Sequence, residues 1–127
     1  MINHYDPSEI PFIWDQVEDD ISRALKRGSV YTIEMIYDGL RSGALQLFTA
    51  RDVTLVASYL KEYCLLLALS GKNMRSWLSL LPLIEDSARL SGCGKMRIQG
   101  RKGWARLLGY EITGRDELNL HIIEKKL

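Results

Sequence analysis

The segment SGCGKMRIQGRKGWARLLGYEI, Ser91 to Ile112, constrains the fold more than any other part of the chain. Gly92 is placed to end a preceding helix, Lys95 to Gln99 alternates side chains as a strand does, Arg101 to Leu108 has the pattern of a short helix, and Gly109 suits the left-handed turn that closes it. Tyr110 to Thr113 then resumes strand character. Such a unit requires a sheet with a helix laid against it, so the fold class is α/β.

The segments before it support the same class. Asp6-Pro7-Ser8 reads as a helix start, followed by Ile10, Phe12, Ile13, Trp14, Val17, Ile21, Ala24 and Leu25 near helical spacing, closed by Lys26-Arg27-Gly28. Asp15, Glu18, Asp19 and Asp20 fall on its polar side, where a solvated face is expected. Thr32 caps a second helix carrying Ile33, Ile36, Tyr37 and Leu40, ended by Ser42-Gly43. Ala44 to Ala50 and Val53 to Tyr59 predict a hairpin across Arg51-Asp52. The leucine-rich run from Leu60 to Leu69 fits helix propensity, yet its length before Ser70-Gly71 predicts a buried central strand over Cys64 to Leu69.

Arg75 to Leu90 predicts a long helix through Trp77, Leu78, Leu81, Ile84 and Ala88, with Pro82 kinking it or starting a new turn. A final strand, Leu118 to Lys125, follows a turn at Gly114-Arg115-Asp116. Trp14 and Trp77 are expected in the core, and Trp104 in the core or packing its helix. The predicted order gives one domain over residues 1–127, a mixed sheet with helices on both faces.

Composition narrows the chemistry. The 127 residues are 46% hydrophobic and 26% charged with a formal net charge of +1, the balance of a folded protein without a global field for nucleic acid or anionic membrane. The first residues, MINHYDPSEIPF, lack secretory-signal features, no segment has the apolar length of a membrane span, and a cytoplasmic location is expected. Cys64 and Cys93 lack metal or redox spacing and read as reduced core thiols. His4 and His121, the two imidazoles, lie near opposite ends of the chain, which leaves zinc without support. Neither a phosphate loop, a dinucleotide fingerprint nor a GxSxG nucleophile turn is present.

A central apolar strand leading into a long helix, then strand, short helix and strand, resembles the GNAT acyltransferase superfamily over most of the chain. Trp77-Leu78, Gly92-Cys93 and the run Gly100 to Tyr110 are similar, more narrowly, to small GNAT-like proteins of tailed bacteriophages and prophages. The resemblance implies an acetyl-CoA cleft where the strands at Cys64–Leu69 and Lys95–Gln99 splay. Backbone at Leu67 and Leu69 would hold the pantetheine arm and the acyl carbonyl, and the helix start at Gly71, Lys72 and Arg75 would hold the pyrophosphate.

Two departures set this chain apart from that pattern. Gly71 stands alone where the family carries two closely spaced small residues, and Trp104, Ala105 and Arg106 occupy the turn that supplies a tyrosine general acid in many such enzymes. Glu62 is the candidate general base by resemblance, with Glu111 second. Arg101, Lys102 and Arg106, with Lys95 and Arg97, form a candidate partner-binding surface; the same cations would serve a nucleic-acid domain, a third reading. The leading expectation is a phage or prophage GNAT-like accessory or virion-associated binding protein that has lost catalysis, in the host cytoplasm or on the virion. The alternative is an acetyl-CoA-dependent N-acetyltransferase acting on an amine.

Overall fold

A computed structural model describes residues 2–26, 31–50, 53–71 and 78–127. Asp6 begins the first helical stretch by donating its backbone N–H to Glu9 Oε1 at 2.9 Å, and a 3-10 turn over Pro7–Glu9 leads into α1, Ile10–Leu25. Helix α2, Ile33–Ser42, is capped as its sequence predicts. The Met35 N–H donates to Thr32 Oγ1 at 3.2 Å, and Gly43 closes the helix at φ 84°.

The strands are β1 (Asn3–His4), β2 (Gln46–Ala50), β3 (Val53–Tyr59), β4 (Tyr63–Gly71), β5 (Lys95–Gly100), β6 (Glu111–Arg115) and β7 (His121–Lys126). They form one seven-stranded sheet in the order β1-β2-β3-β4-β5-β7-β6. Every neighbouring pair is antiparallel except β4 and β5, which run parallel. A parallel pair needs a crossover, and the crossover carries α3, Leu81–Leu90. Helix α4, Gly103–Leu108, lies between β5 and β6. The mixed sheet covered on both faces is the architecture expected from the sequence.

Helices α1 and α2 cover one face, where Ile10, Val17, Ile21, Ile36 and Leu40 pack against Leu47, Val56 and Ala68. Helix α3 covers the other, where Leu81, Ile84 and Ala88 meet Leu55, Cys64, Leu66, Met96, Ile98 and Ile123. Burial on both faces explains why the leucine-rich run is a strand: a central strand needs continuous apolar sequence, and that requirement overrides helix propensity. Cys64 and Cys93 are free, buried thiols. Burial and the nearby Cys93 sulfur push the Cys64 thiol up to about 12, so it stays protonated and unreactive near neutral pH.

Several expectations are corrected. Phe12 is 85% exposed, because two residues from Ile10 is about 200° around a helix, away from the buried stripe. Trp14 and Trp104 are half-buried and pack against the two core layers instead of lying fully inside them, Trp14 meeting Tyr37 edge-on and Trp104 taking the helix-packing role. Of the two roles expected for Pro82, starting a new turn holds: it sits in the first turn of α3, where a missing N–H costs no helical hydrogen bond. The turn assigned to Gly114-Arg115-Asp116 instead begins at Asp116, because Gly114 and Arg115 pair with Ile122 and His121 across an irregularity at Thr113. Strand β7 accordingly starts at His121, after Asn119 has taken φ 63°. Strand β1 has too few residues for any periodicity and so is not legible from local pattern; Asn3 and His4 pair with Thr49 and Phe48. The Arg51-Asp52 turn, Trp77 and the start of the Arg75–Leu90 helix lie outside the described residues.

Replacing Met96, fully buried at the sheet centre, with alanine should lower the unfolding free energy by about 2–5 kcal/mol. Phe12→Ala should change it by no more than about 0.5 kcal/mol. Urea denaturation of the two variants checks both values, and equal losses would reject the assignment of the α1 faces.

Candidate functional site

The parallel pairing of β4 and β5 is short. It runs from Tyr63 opposite Lys95 to Leu66 opposite Ile98 and stops there. Beyond that point β4 continues to Gly71 along β3, while Gln99 and Gly100 stay paired with β7. The two strands therefore part in the middle of the sheet, leaving the inner-edge N–H and C=O groups of both without a strand partner.

A bulge accompanies the separation. Ala57 pairs with Leu66 and Val56 with Ala68, so Leu67 is the extra residue on β4. Side-chain packing records the same shift. In a regular strand Leu66 and Ala68 would share a face, yet Leu66 packs with the α3 layer and Ala68 with the α1–α2 layer.

The gap opens into a cavity of about 630 Å³ that reaches both faces of the sheet. On the α3–α4 face it is bordered by Leu66, Ile98, Gly100, Trp104 and Leu107. On the α1–α2 face it is bordered by Ala24, Tyr31, Leu67, Gln99 and the turn residues Asp116, Leu118 and Leu120. Trp104 packs against Gly100 so closely that a Cβ there would lie 3.4 Å from the indole. The glycine thus lets α4 form one wall without closing the opening.

Among the predicted site residues, Leu67 and Leu69 line the cavity, and Arg101 stands at its mouth on the α4 side. Gly71 ends β4 opposite Val53, while Lys72 and Arg75 lie outside the described residues. Glu62 is in a different place. It is exposed in the turn before β4, about 16 Å along the strand from Leu67, and its backbone carbonyl accepts the Gly94 N–H at 3.0 Å. Glu111 is exposed on the edge strand β6. Neither carboxylate borders the cavity.

Tyr110 points the other way, into the core beneath α3. Its hydroxyl donates to Glu85 Oε2 at 2.7 Å, and Lys125 Nζ donates to Glu85 Oε1 at 3.1 Å. Burial, with the hydrogen bond and charge of Glu85, holds the phenol far above its ordinary value, so it is a poor proton donor near neutral pH.

The five cations also divide. Arg97 Nε and Lys95 Nζ both contact Glu124 Oε2, at 2.7 and 3.2 Å, and the Arg97 guanidinium lies 4.0 Å from the centre of the Tyr63 ring. Arg101, Lys102 and Arg106 remain exposed around α4. Strand alternation accounts for the division, since Lys95 and Arg97 alternate with Met96 and Ile98, which pack on the face that α4 covers, and so project from the opposite face.

Sequence reasoning missed Gln99 and Asp116. Gln99 Nε2 donates to Asp116 Oδ2 at 2.9 Å, while Asp116 Oδ1 accepts the N–H groups of Leu118 and Leu120, each at 2.9 Å. Desolvation opposes ionisation of Asp116, but the Leu120 N–H, the Gln99 amide and the Leu118 N–H outweigh it and hold the carboxyl below its usual range. The Asp-x-x-Asn turn pattern marks the loop. Its approach to Gln99 arises only when β5 and β7 pair. No group of histidine, cysteine and acidic side chains suited to a metal occurs among the described residues. Nor is any helix among them long and apolar enough to cross a membrane.

Glu124 provides a test of this electrostatic frame. Its burial favours the neutral form, but hydrogen bonds from Arg97, Thr113 and Lys95 outweigh that and lower its pKa. Stability from this carboxylate is present above the unfolded value, near about 4, and is lost as pH falls through the lower folded value. The parent midpoint should therefore drop more steeply between about pH 5 and pH 2 than that of Glu124→Gln, measured by thermal unfolding. Parallel curves would show that Glu124 contributes nothing.

No protein-family profile matches the sequence, and no curated protein matches it. The fold nevertheless matches those of solved N-acetyltransferases. The PaiA N-acetyltransferase from Thermoplasma acidophilum, in complex with coenzyme A, superposes with TM-score 0.65 at 12% identity, covering 100% of this chain and 99% of that one. An aminoglycoside 6'-N-acetyltransferase from Enterococcus faecium gives 0.70 at 12%, covering 99% and 96%. An aminoglycoside 6'-N-acetyltransferase complexed with coenzyme A gives 0.72 at 13%, again covering 99% and 96%. The chain has the GNAT fold.

Proposed function

We propose that this protein binds acetyl-CoA in the cleft between β4 and β5 and transfers its acetyl group to an amine that enters from the α1–α2 face. The parting of the strands after Leu66 and Ile98 carries the reading. An extended, amide-bearing pantetheine arm can bond to a free strand edge as another strand would, and β4 presents such an edge from Leu67 onward. Crystallised proteins of this fold hold coenzyme A, which supports the assignment of the ligand.

The thioester supplies an activated acyl group. The chain supplies position and polarity. Backbone N–H groups of the Leu67–Leu69 segment are suited to donate to the acyl carbonyl, where they would favour charge developing on its oxygen. Leu67, Trp104 and Leu107 give the cleft apolar walls, and the passage through the sheet would align an incoming nitrogen with the acyl group. Forming the amide would break the thioester C–S bond and release coenzyme A as its thiol, with the amine proton reaching the sulfur through water, because Glu62 and Glu111 lie away from the cavity and Tyr110 is committed to Glu85. Catalysis here rests on proximity and carbonyl polarisation, with slower turnover than a site with a dedicated acid and base.

The second reading keeps the cleft and gives up the chemistry: a phage or prophage accessory or virion-associated protein that binds a partner through Arg101, Lys102 and Arg106. Their common exposure around α4 and the lack of a hydroxyl on that helix favour it. The two readings diverge in one measurement. Acetyl-CoA at about 100 times its dissociation constant should add about 2.7 kcal/mol and raise the unfolding midpoint by several degrees. In the transfer reading, Glu62→Gln should retain turnover within about two-fold. No midpoint change up to millimolar acetyl-CoA would overturn cofactor binding and leave the partner-binding reading.

A further inference from the structure

The outward face of α3 is apolar where a solvated helix carries charge. Leu81, Ile84 and Ala88 point into the core, which leaves Leu83 and Leu90 on the opposite side, 50% and 90% exposed. Seven residues is about two turns, so the two leucines stand in line along the helix with Asp86 between them. Exposed Pro82 extends the stripe at one end. At the other, exposed Leu60 lies in a turn held against the end of α3: the Tyr59 hydroxyl and Ser87 Oγ are hydrogen-bonded at 2.7 Å, and Cys93 Sγ donates to the Leu60 carbonyl at 3.6 Å. Phe12 has no such company, since the exposed residues on its side of α1 are Gln16, Asp19 and Arg23. Single apolar residues on a surface are ordinary, whereas an aligned group marks a contact.

The charges on the stripe indicate what covers it. Arg89 Nη1 donates to Asp86 Oδ1 at 2.5 Å, and both side chains are more than half exposed. Such a pair contributes little to the monomer and is readily shared with a second partner. Turned end for end, the face matches itself. Leu83 falls opposite Leu90, and each Asp86 falls between Arg89 of its own helix and Arg89 of the other. This matching of apolar and charged groups alike is the condition for a two-fold interface, in which one patch serves both subunits. A partner of uniform charge would set a like charge against either Asp86 or Arg89.

We propose that this chain forms a two-fold dimer through α3, the helices of two copies lying antiparallel with Leu83 against Leu90 of the second copy and Asp86 against its Arg89. Ten residues of helix and one turn make a small contact, below about 800 Å² per subunit, so half-association is expected at roughly 10–500 µM. The dimer stands whether or not the cleft transfers an acetyl group.

Sedimentation velocity on the full chain at low salt, from about 5 to about 1,000 µM, should show a shift from monomer toward dimer. Leu90→Ser should weaken the association at least about ten-fold, because the substitution removes its contact twice per dimer. Asp86→Lys and Arg89→Glu should each weaken it about five-fold, since either one sets like charges against each other across the contact. An equal mixture of these two variants should recover the parent affinity to within about two-fold, because the mixed dimer restores opposite charges at both places. That recovery also shows that both variants fold. A parent that stays monomeric over the whole range overturns the dimer. Association unchanged by Leu90→Ser overturns the use of this face, and a mixture no tighter than its components overturns the antiparallel arrangement.

Discussion

Two parallel strands that pair for only part of their length determine the rest of this structure. A sheet normally buries its backbone polar groups by pairing them, and opening it at the centre exposes groups that need partners. The Leu67 bulge re-aims β4 at the point of separation, while β3 on one side and β7 on the other keep each strand tied to the sheet. The two halves can part without either losing its outer hydrogen bonds. A cavity in the middle of the domain follows, with leucine walls and strand edges available to a ligand.

Charge placement divides the molecule into a frame and a site. Glu124 gathers Lys95 and Arg97 across the β5–β7 pair, and Glu85 gathers Tyr110 and Lys125 beneath α3. These contacts tie the C-terminal half of the sheet together on both faces. Asp116 belongs to the same half, but its donors are neutral, so its charge is directed without being cancelled. That difference separates carboxylates that tie strands together through ion pairs from one whose hydrogen bonds close a turn onto β5.

The missing hydroxyl on α4 and the exposed position of Glu62 set the limits of the chemistry. A cleft can bring two reactants together and polarise a carbonyl with backbone alone. It cannot move protons quickly without a titrating group at the reacting atoms. Proximity is the contribution that this geometry makes most strongly.

Local sequence by itself determined the helix ends and most of the strands. Thr32 with Gly43, Gly92 at φ 90° and Gly109 at φ 71° act through bonds and torsions within a few residues, so their effect is visible without the fold. The apolar runs at Val53–Tyr59 and Cys64–Leu69 identified buried strands for a similar reason, and the resemblance carried by the order of elements, a central apolar strand and long helix followed by strand, short helix and strand, pointed to the correct fold. Tertiary structure decided everything that depends on which strands meet. Glu62 looked well placed because it precedes a central strand, yet the cavity opens at the far end of that strand. Tyr110 had no direction until Glu85 approached from α3, and Asp116 had no role until β7 returned beside β5 and brought its turn to Gln99. Caps and alternation are local, whereas a site is made of residues distant in sequence whose meeting is fixed by sheet order and register.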